Sequence, residues 1–385
     1  MASPGRPRAA TIASRVFEPE GSAAAYRLGA LARALEGAGF RTTVLTTRPP
    51  WRVEPVPGVR RWPVLRDATG AVRGYIQYAS FDIPLFFRLL FGPRADVVVV
   101  EPPPTTGVVS RIACAIRRTP YVYYSADVSS TAAEGIGVNR TVVRMLRRME
   151  RWVLRGARLI LTVSDDVADE LVRLGADRDR IVVAGTGIDT TAFALEGEIS
   201  NPHEPYFVYG GTMSEIQGAG VFIDAFALVA AEHPTARLLF FGSGVEFDDL
   251  RRHAAGVSNR IDVRGTVPGE TLSPWLRGST AGLASVRPAR GYDFAFATKA
   301  LVSLSCGAPV IYAGVGPLAT VIAANDLGWS ASWDAADVAA AMRDALAATR
   351  TPARSRKLSK WVDDHYSLRV VAKRGAEAIS RSISG

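Results

Sequence analysis

The chain has 385 residues, of which 48% are apolar and 22% are charged. This length exceeds what one hydrophobic core usually serves, so two or at most three domains are expected. The composition excludes a disordered chain, and only two Cys exclude a disulfide scaffold. The formal charge is +9, yet 42 of the 46 basic residues are Arg, alongside abundant Ala, Gly and Val. Such a compositional bias explains the charge, so no nucleic-acid partner is expected.

Residues 1–10 form a short Pro/Arg tail without the apolar core of a signal peptide. The apolar stretch 81–91 is shorter than the roughly 20 residues that a spanning helix needs. We therefore expect a cytoplasmic protein. Cys114 and Cys306 fall within helical patterns, which favours small buried side chains over redox chemistry.

Short β-rich runs alternate with helical patterns along the chain. In the first half they lie at residues 42–46, 96–100, 121–124, 159–163 and 180–183. After the polar stretch 196–205 they lie at residues 206–209, 236–241, 260–263, 281–284 and 309–312. This alternation predicts an α/β fold of two doubly wound, Rossmann-like domains. A ligand should bind at the carboxyl ends of the strands, in a cleft between the domains.

Two glycine turns in the second half indicate an anion site. Residues 209–218 read Tyr-Gly-Gly-Thr-Met-Ser-Glu-Ile-Gln-Gly, and residues 241–244 read Phe-Gly-Ser-Gly. Each turn follows a predicted strand, where glycines let backbone amides approach an anion at a helix N-terminus. A tight connection without a ligand is the alternative for both turns. The candidate contacts are Gly211, Thr212, Gln217 and Gly242.

A cationic loop at residues 287–299 leads into the helix that starts near Thr298 and Lys299. Backbone amides, a hydroxyl and a full positive charge suit a diphosphate. The alternative is an ordinary helix cap beside a solvated Lys. Lys299 is the only Lys before position 357, so we interpret it as a phosphate contact, with Arg287 or Arg290 assisting.

The order of these motifs resembles the GT-B glycosyltransferases of family 4, in the branch that builds bacterial surface polysaccharides and related glycoconjugates. The resemblance covers nearly the whole chain and rests on residues 18–40, 102–107, 209–218 and 297–310. It implies an acceptor-binding domain at 1–198, joined by a C-terminal helix at 360–385, and a nucleotide-sugar-binding domain at 199–359. It further implies retaining, metal-independent hexosyl transfer from a UDP or GDP sugar, with no cofactor.

The resemblance also assigns roles to individual residues. Gly21 and Ser22 would face the donor diphosphate, the segment around Arg264 would contact the base, and the amides of Thr298 and Lys299 would hold the phosphates. The chain departs from its relatives where they carry acidic residues, at Phe294 and Val302, and near Gln217, where many carry Lys. A nucleotide-sugar epimerase of the same architecture and a catalytically silent partner protein therefore stay open as alternatives.

An inverting mechanism with a His base is not expected, because none of the four His follows a strand of the first domain. Asp127 and, after it, Glu101 do follow such strands and are the candidates for acceptor contact. A solvated carboxylate or a helix cap is the alternative for each. In the retaining mechanism that the resemblance implies, Lys299 would stabilise the leaving diphosphate without a metal.

The helix at 139–156 places apolar side chains, Met145 and Trp152 among them, on one face and five Arg on the other. We interpret it first as a core-facing helix and second as a surface for an anionic membrane or an acceptor. The stretch 81–91 could similarly be an interfacial helix. Peripheral contact with the inner face of the membrane would indicate a lipid-linked acceptor, and its absence a small molecule of specialised metabolism. The sequence does not determine the oligomeric state.

Overall fold

The computed structural model of the protein describes residues 7–67, 70–72, 74–135, 138–201, 203–288 and 296–384. The chain forms two compact units. The first contains the described residues up to Gly187 and those from Leu368 onward, and the second is Ile188–Ser367. Each unit holds its own parallel sheet.

These limits differ from the sequence-based ones at residues 198 and 359. The polar stretch 196–205, which the sequence predicts to join the two domains, lies within the second unit. Arg277 donates hydrogen bonds of 2.9 Å and 2.7 Å to the carbonyl oxygens of Ala194 and Glu198. Ile188 and Tyr366, both assigned to the first domain from the sequence, lie instead in the second unit, where the amide of Ile188 donates to the carbonyl oxygen of Tyr366.

The first unit is built on a seven-stranded parallel sheet with the order β3-β2-β1-β4-β5-β6-β7. Its strands are β1 (Ala9–Ala13), β2 (Arg41–Thr47), β3 (Val59–Trp62), β4 (Val97–Val100), β5 (Tyr121–Ser125), β6 (Leu159–Thr162) and β7 (Ile181–Val183). The assignment of residues 1–10 to a tail is wrong for Ala9 and Ala10, which lie buried in the central strand β1. The run was missed because Ala has a low preference for strands.

Helices cover both faces of this sheet. They are α1 (Ala23–Gly37), α2 (Tyr75–Phe91), α3 (Pro104–Arg117), α4 (Ser129–Gly135), α5 (Arg140–Gly156) and α6 (Asp165–Arg173). In β4, Val98 and Val100 enter the core under α2, α3 and α5, whereas Val97 and Val99 enter the core under α1. Successive side chains of a strand point to opposite faces, so a strand covered on both sides is an uninterrupted apolar run.

The second unit repeats this design with a six-stranded parallel sheet in the order β10-β9-β8-β11-β12-β13. Its strands are β8 (Tyr206–Gly210), β9 (Arg237–Phe241), β10 (Ile261–Arg264), β11 (Ala281–Val286), β12 (Val310–Gly314) and β13 (Gly328–Ala331). The predicted α/β class with two Rossmann-like domains is confirmed. Successive strands are added on one side of β8 from β8 to β10 and on the other side from β11 to β13. The switch point therefore lies between β8 and β11, and ligands of such sheets bind at this point.

The helices of the second unit are α7 (Gly220–Val229), α8 (Phe247–Val257), α9 (Gly269–Gly278), α10 (Thr298–Ser305), α11 (Pro317–Ala324), α12 (Ala335–Ala347) and α13 (Pro352–Tyr366). The last helix, α14 (Leu368–Ser382), packs in the first unit. There Ala376 and Ile379 share a core with Leu28 and Leu31 of α1. The C-terminal helix was predicted over residues 360–385, whereas in the structure α13 continues to Tyr366 and α14 starts at Leu368.

Two helices of the first unit differ from their predicted orientation or extent. In α5 the buried residues include Val143 and Val153, whereas Met145 and Trp152, predicted to face the core, are 48% and 41% exposed. The stretch 81–91 is the second half of the longer helix α2. None of the helices in the described parts of the chain combines the length and apolar composition needed to cross a membrane.

The two Cys behave as predicted. Cys114 in α3 and Cys306 at the end of α10 are both buried. Burial raises the pKa of each thiol to about 12, so both stay protonated and unreactive in the folded chain.

Candidate functional site

A cavity of about 360 Å³ opens at the carboxyl edge of the second sheet. It lies between the turns that follow β8 and β9 and the start of α10. The residues that line it are Phe193, Gly210, Gly211, Thr212, Gln217, Phe241, Gly242, Thr266, Val267, Leu272, Phe296, Ala297, Thr298, Lys299 and Val302. Among these described residues there is no Asp or Glu, and Lys299 supplies the charge.

The two predicted glycine turns meet at the floor of this cavity. Gly211 and Gly242 have φ angles of +137° and +149°, which L side chains rarely adopt. A Cβ on Gly242 would lie 1.9 Å from the carbonyl oxygen of Gly211. The close approach of the two turns therefore requires glycine at position 242, and the positive φ of Gly211 favours glycine there.

The turn after β8 is fixed from below by Tyr209. Its hydroxyl donates a 2.8 Å hydrogen bond to the carbonyl oxygen of Thr212. Burial raises the pKa of Tyr209, so the phenol stays neutral and keeps donating. Farther along, Ser214 donates to the side-chain oxygen of Gln217 over 2.8 Å, which orients this amide in the cavity wall.

Lys299, in the first turn of α10, lies beside the glycine turn after β8, with its Cε 3.2 Å from where a Cβ on Gly211 would be. Its Nζ lies 4.8 Å from the centre of the Tyr209 ring. Burial lowers the pKa of Lys299 to about 8, and within the described part of the chain no charged neighbour contributes to the shift. A buried ammonium without a counter-charge is stabilised by any anion that enters the cavity.

The start of α10 strengthens this preference for an anion. The cap position is Ala297, whose side chain cannot bond to the first-turn amides. Thr298 follows as an exposed residue inside the helix, so the alternative of an ordinary Thr cap is wrong. The positive end of the helix dipole and its amides therefore lie next to Lys299.

The structure does not bring all the predicted second-unit residues into the cavity. Arg264 is absent from its lining: Nε donates to Asp262 over 2.7 Å, and the guanidinium covers the rings of Phe241 and Trp275. Thr266 and Val267, just after it, take the lining position. Arg290 and Phe294 lie outside the described residues.

In the first unit, Glu101 is part of an internal network. It is buried, accepts a 2.5 Å hydrogen bond from Ser14 and pairs with Arg27 over 3.0 Å. Burial raises the pKa of Glu101, while Arg27 and Ser14 oppose that shift. Asp127 is exposed, and Ser125 donates to its backbone carbonyl oxygen rather than to its carboxylate.

The first glycine loop is also ordered by internal contacts. Ser22 is the cap of α1, and its hydroxyl accepts from the amide of Ala25 over 3.1 Å, with Gly21 just before it. Glu20 pairs with Arg66 over 3.0 Å, and both side chains are nearly buried. Glu101 and Glu20 are thus paired within this unit, whereas the carboxylate of Asp127 is exposed.

The sequence did not single out the apolar walls of the cavity. Phe193, Leu272 and Phe296 are ordinary core-type residues in the chain. Val302 was singled out as a departure from the family pattern, and it does line the cavity. An isopropyl group there cannot accept a hydrogen bond from a ligand hydroxyl.

Family comparisons agree with the two-unit architecture. The family model described as "Glycosyl transferase 4-like domain" matches residues 22–187. The model described as "Glycosyl transferases group 1" matches residues 204–348. A "D-inositol 3-phosphate glycosyltransferase" of Xylanimonas cellulosilytica is 28% identical over 193 residues, which are 45% of this chain and 44% of the relative. The chain thus spans less than half the length of this curated relative.

Solved structures show the same fold over nearly the whole chain. Sucrose-phosphate synthase (tll1590) from Thermosynechococcus elongatus has a TM-score of 0.70 at 16% identity, covering 98% of this chain and 99% of that one. Anabaena Alr3699/HepE in complex with UDP and glucose has a TM-score of 0.67 at 15% identity, covering 97% and 100%. In the described residues of the present chain, no group of three or more His, Cys, Asp or Glu could hold a metal ion.

Proposed function

Because the chain belongs to the family 4 glycosyltransferases with the GT-B fold, we propose that it moves a sugar from a nucleoside-diphosphate sugar to an acceptor with retention of configuration. The observation that carries this proposal is the second-unit cavity, where Lys299, without a counter-ion among the described residues, and helix amides without a side-chain cap lie beside two glycine turns. Such a site attracts a dianionic diphosphate, and its described lining contains no carboxylate that would repel the ligand.

The same groups support the chemical step. When the glycosidic bond to the diphosphate breaks, negative charge builds up on the leaving oxygen. The ammonium of Lys299 and the amides of Thr298 and Lys299 stabilise that charge, because the fold holds these groups in place before the bond breaks. Retention follows when the acceptor hydroxyl attacks on the side from which the diphosphate departs, and the leaving diphosphate accepts the proton of that hydroxyl.

For the donor we propose a UDP or GDP sugar. A structure of HepE was determined with UDP and glucose, which makes UDP-glucose the first donor to test. Val302 lacks the carboxylate that relatives use to hold the ribose, so the ribose hydroxyls must find backbone or water partners. Weaker nucleotide binding than in those relatives is the expected consequence.

For the acceptor we propose the first unit as the binding domain and Asp127 as the contact with the attacking hydroxyl. Its exposed carboxylate can accept a hydrogen bond, whereas Glu101 is already engaged by Ser14 and Arg27 and serves to position that edge of the sheet. The curated relative is named for D-inositol 3-phosphate, so a polyol phosphate is the first small acceptor to test.

The decisive experiment is a thermal-shift series with UDP, GDP, ADP, TDP and CDP on the wild type and on Lys299→Ala. We expect one nucleotide to raise Tm and the variant to lose most of that rise. Lys357→Ala is the matched control, since Lys357 is exposed and pairs with Asp326 at the surface. Undiminished stabilisation in Lys299→Ala contradicts the phosphate assignment, and no stabilisation by any nucleotide contradicts donor binding.

Product analysis separates the remaining alternatives. Both matching family models describe glycosyl transferases, which does not favour the epimerase. Conversion of a nucleotide sugar into its epimer without an acceptor would nevertheless establish that activity. A silent partner protein is indicated if nucleotide binds but neither transfer nor hydrolysis of the donor is detected.

A specific surface of the first unit favours peripheral contact with an anionic membrane. Helix α3 packs between α2 and α5, and large apolar side chains point outward from all three helices. On α2, Phe91 is 77% exposed and Ile76 69%. The other members of this outer face are Tyr75, Ile83, Phe87, Ile112, Ile116, Met145 and Trp152.

The charges of this outer face match an anionic lipid surface. The acidic residues of α2, α3 and α5 are Asp82 and Glu150, and both are buried at 4% exposure, bonded to Thr106 and Ser130. Five exposed Arg project from α5: Arg140, Arg144, Arg148, Arg151 and Arg155. Exposed apolar and cationic groups without exposed acids are typical of interfacial binding.

Liposome flotation tests this contact. We expect the protein to float with vesicles rich in phosphatidylglycerol and not with phosphatidylcholine alone, and Phe87→Ser/Phe91→Ser to stay at the bottom. Leu228→Ser, at an exposed apolar residue of the second unit, is the matched control. Equal flotation of all three proteins, or none by the wild type, contradicts the proposal and leaves a small-molecule acceptor favoured.

A further inference from the structure

A second, smaller cavity lies in the first unit, away from the carboxyl edge of the sheet. It has a volume of about 140 Å³ and sits beneath the ends of α2 and α3, beside the segments that lead into β4 and β5. This is the edge at which those strands begin. Substrates of doubly wound sheets bind at the opposite edge, so the proposed transfer reaction does not account for this cavity.

The walls of this cavity divide into an apolar floor and a cationic rim. Leu45, Leu89 and Val98 belong to the core beneath it. The rim carries three guanidinium groups and three Thr, and none of its described lining residues is acidic. These rim residues are Arg60, Arg88, Arg117, Thr11, Thr43 and Thr119.

Arg117 compensates the negative C-terminal end of α2, which would otherwise repel an anion. One of its terminal nitrogens donates to the carbonyl oxygens of Leu89, Leu90 and Gly92, at distances of 3.1, 2.8 and 2.7 Å. These are the carbonyls at the negative end of the α2 dipole. The guanidinium therefore neutralises the helix end and stabilises the loop that closes the cavity.

Arg88 is the unsatisfied member of the rim. One terminal nitrogen donates to the carbonyl oxygen of Arg60 over 2.8 Å, but the other, NH1, is buried without a hydrogen-bond partner. Burial and the charge of Arg60 both lower the pKa of Arg88. A buried cationic donor without an acceptor is costly, and a neighbouring like charge adds to that cost.

We propose that this cavity is a binding site for a small tetrahedral oxyanion, phosphate or sulfate, held by Arg88 and Arg60. An oxygen of the anion would accept from the buried NH1 of Arg88, and its charge would offset the repulsion between the two guanidiniums. The Thr hydroxyls of the rim can donate to the remaining oxygens. The volume admits an ion of a few heavy atoms and excludes a nucleotide.

Isothermal titration with inorganic phosphate on Lys299→Ala tests the site, because that variant removes the main cation of the second-unit cavity. We expect saturable binding that weakens about tenfold or more in Lys299→Ala/Arg88→Met, as loss of a charge-assisted hydrogen bond predicts. Lys299→Ala/Arg60→Met should weaken binding too, and it serves if the Arg88 variant does not fold. Lys299→Ala/Arg251→Met, at an exposed Arg of α8, is the matched control.

The source of the anion is distinguished by a parallel series. Glycerol 3-phosphate and vesicles of phosphatidic acid replace inorganic phosphate in two further titrations of the same proteins. Binding of free phosphate that depends on Arg88 supports the proposal. Affinities that are the same with and without Arg88 and Arg60, binding only to vesicles, or no phosphate binding to Lys299→Ala would overturn it.

Discussion

The carboxyl edges of the two sheets differ in how their charges are balanced. At the edge of the first unit, Glu101 pairs with Arg27 and Glu20 pairs with Arg66. In the second unit Lys299 is buried with no compensating charge among the described residues. An edge whose carboxylates are paired has no excess charge of its own, whereas an edge with an unbalanced cation suits an anion. This difference supports the proposal that the first unit binds the acceptor and the second unit the donor.

The largest expected effect is at the glycine turns of the second unit. In Gly242→Ala the new Cβ would meet the carbonyl oxygen of Gly211 at 1.9 Å, at a φ of +149°. The turns must move apart. We therefore expect the variant to lose about 3 kcal/mol of stability and to lose nucleotide binding. Chemical denaturation and titration with the stabilising nucleotide measure the two effects.

Gly256→Ala is the control for this substitution, because a Cβ there meets nothing within 4 Å and the residue lies in α8. We expect it to be neutral or to stabilise the protein by up to about 1 kcal/mol. If Gly242→Ala binds nucleotide like the wild type, close approach of the two turns is not what shapes the donor site.

The next effect tests the paired edge of the first unit. Arg27→Met removes the partner of buried Glu101, whose side chain is 10% exposed. We expect a loss of about 3 kcal/mol of stability, because a buried carboxylate is left uncompensated. Arg33→Met breaks the exposed pair with Glu18 and should cost less than about 1 kcal/mol. Equal unfolding midpoints for the two variants would show that the pair of Arg27 with Glu101 does not stabilise the folded protein.

The smallest effect is the pH dependence that the unpaired Lys should cause. The pKa of Lys299 is lowered to about 8, so the free protein loses this cation as pH rises through that value. Nucleotide affinity should then fall, by at most about tenfold per pH unit. Titrations at pH 7, 8 and 9 should show this fall in the wild type and not in Lys299→Ala.

The stability of the ligand-free protein should change in the opposite direction. Between pH 8 and about pH 10 the unfolded chain still holds the Lys299 proton that the folded chain has released, so stability rises with pH. Lys299→Met should lack this part of the rise. A wild type and variant with parallel stability profiles would mean that Lys299 is paired in solution.

Prediction from the sequence succeeded where local pattern and burial agree. Strand β4 was found because four consecutive Val are covered on both faces. The glycine turns were found because each follows a predicted strand, and the start of α10 because Lys is rare in this chain. Strand β1 was missed because Ala-rich runs carry little strand signal, although five consecutive buried residues place it at the centre of the sheet.

The sequence by itself determined the α/β alternation, the order of the motifs and the residues from which an anion site could be built. Only the tertiary structure decided which charges are balanced. Glu101 and Asp127 look alike in the chain, yet Arg27, 74 positions away, pairs with one and leaves the other exposed. Likewise, the orphaned nitrogen of Arg88 and the lone charge of Lys299 depend on what packs around them. Burial and pairing are set by residues distant in the chain, which local patterns do not specify.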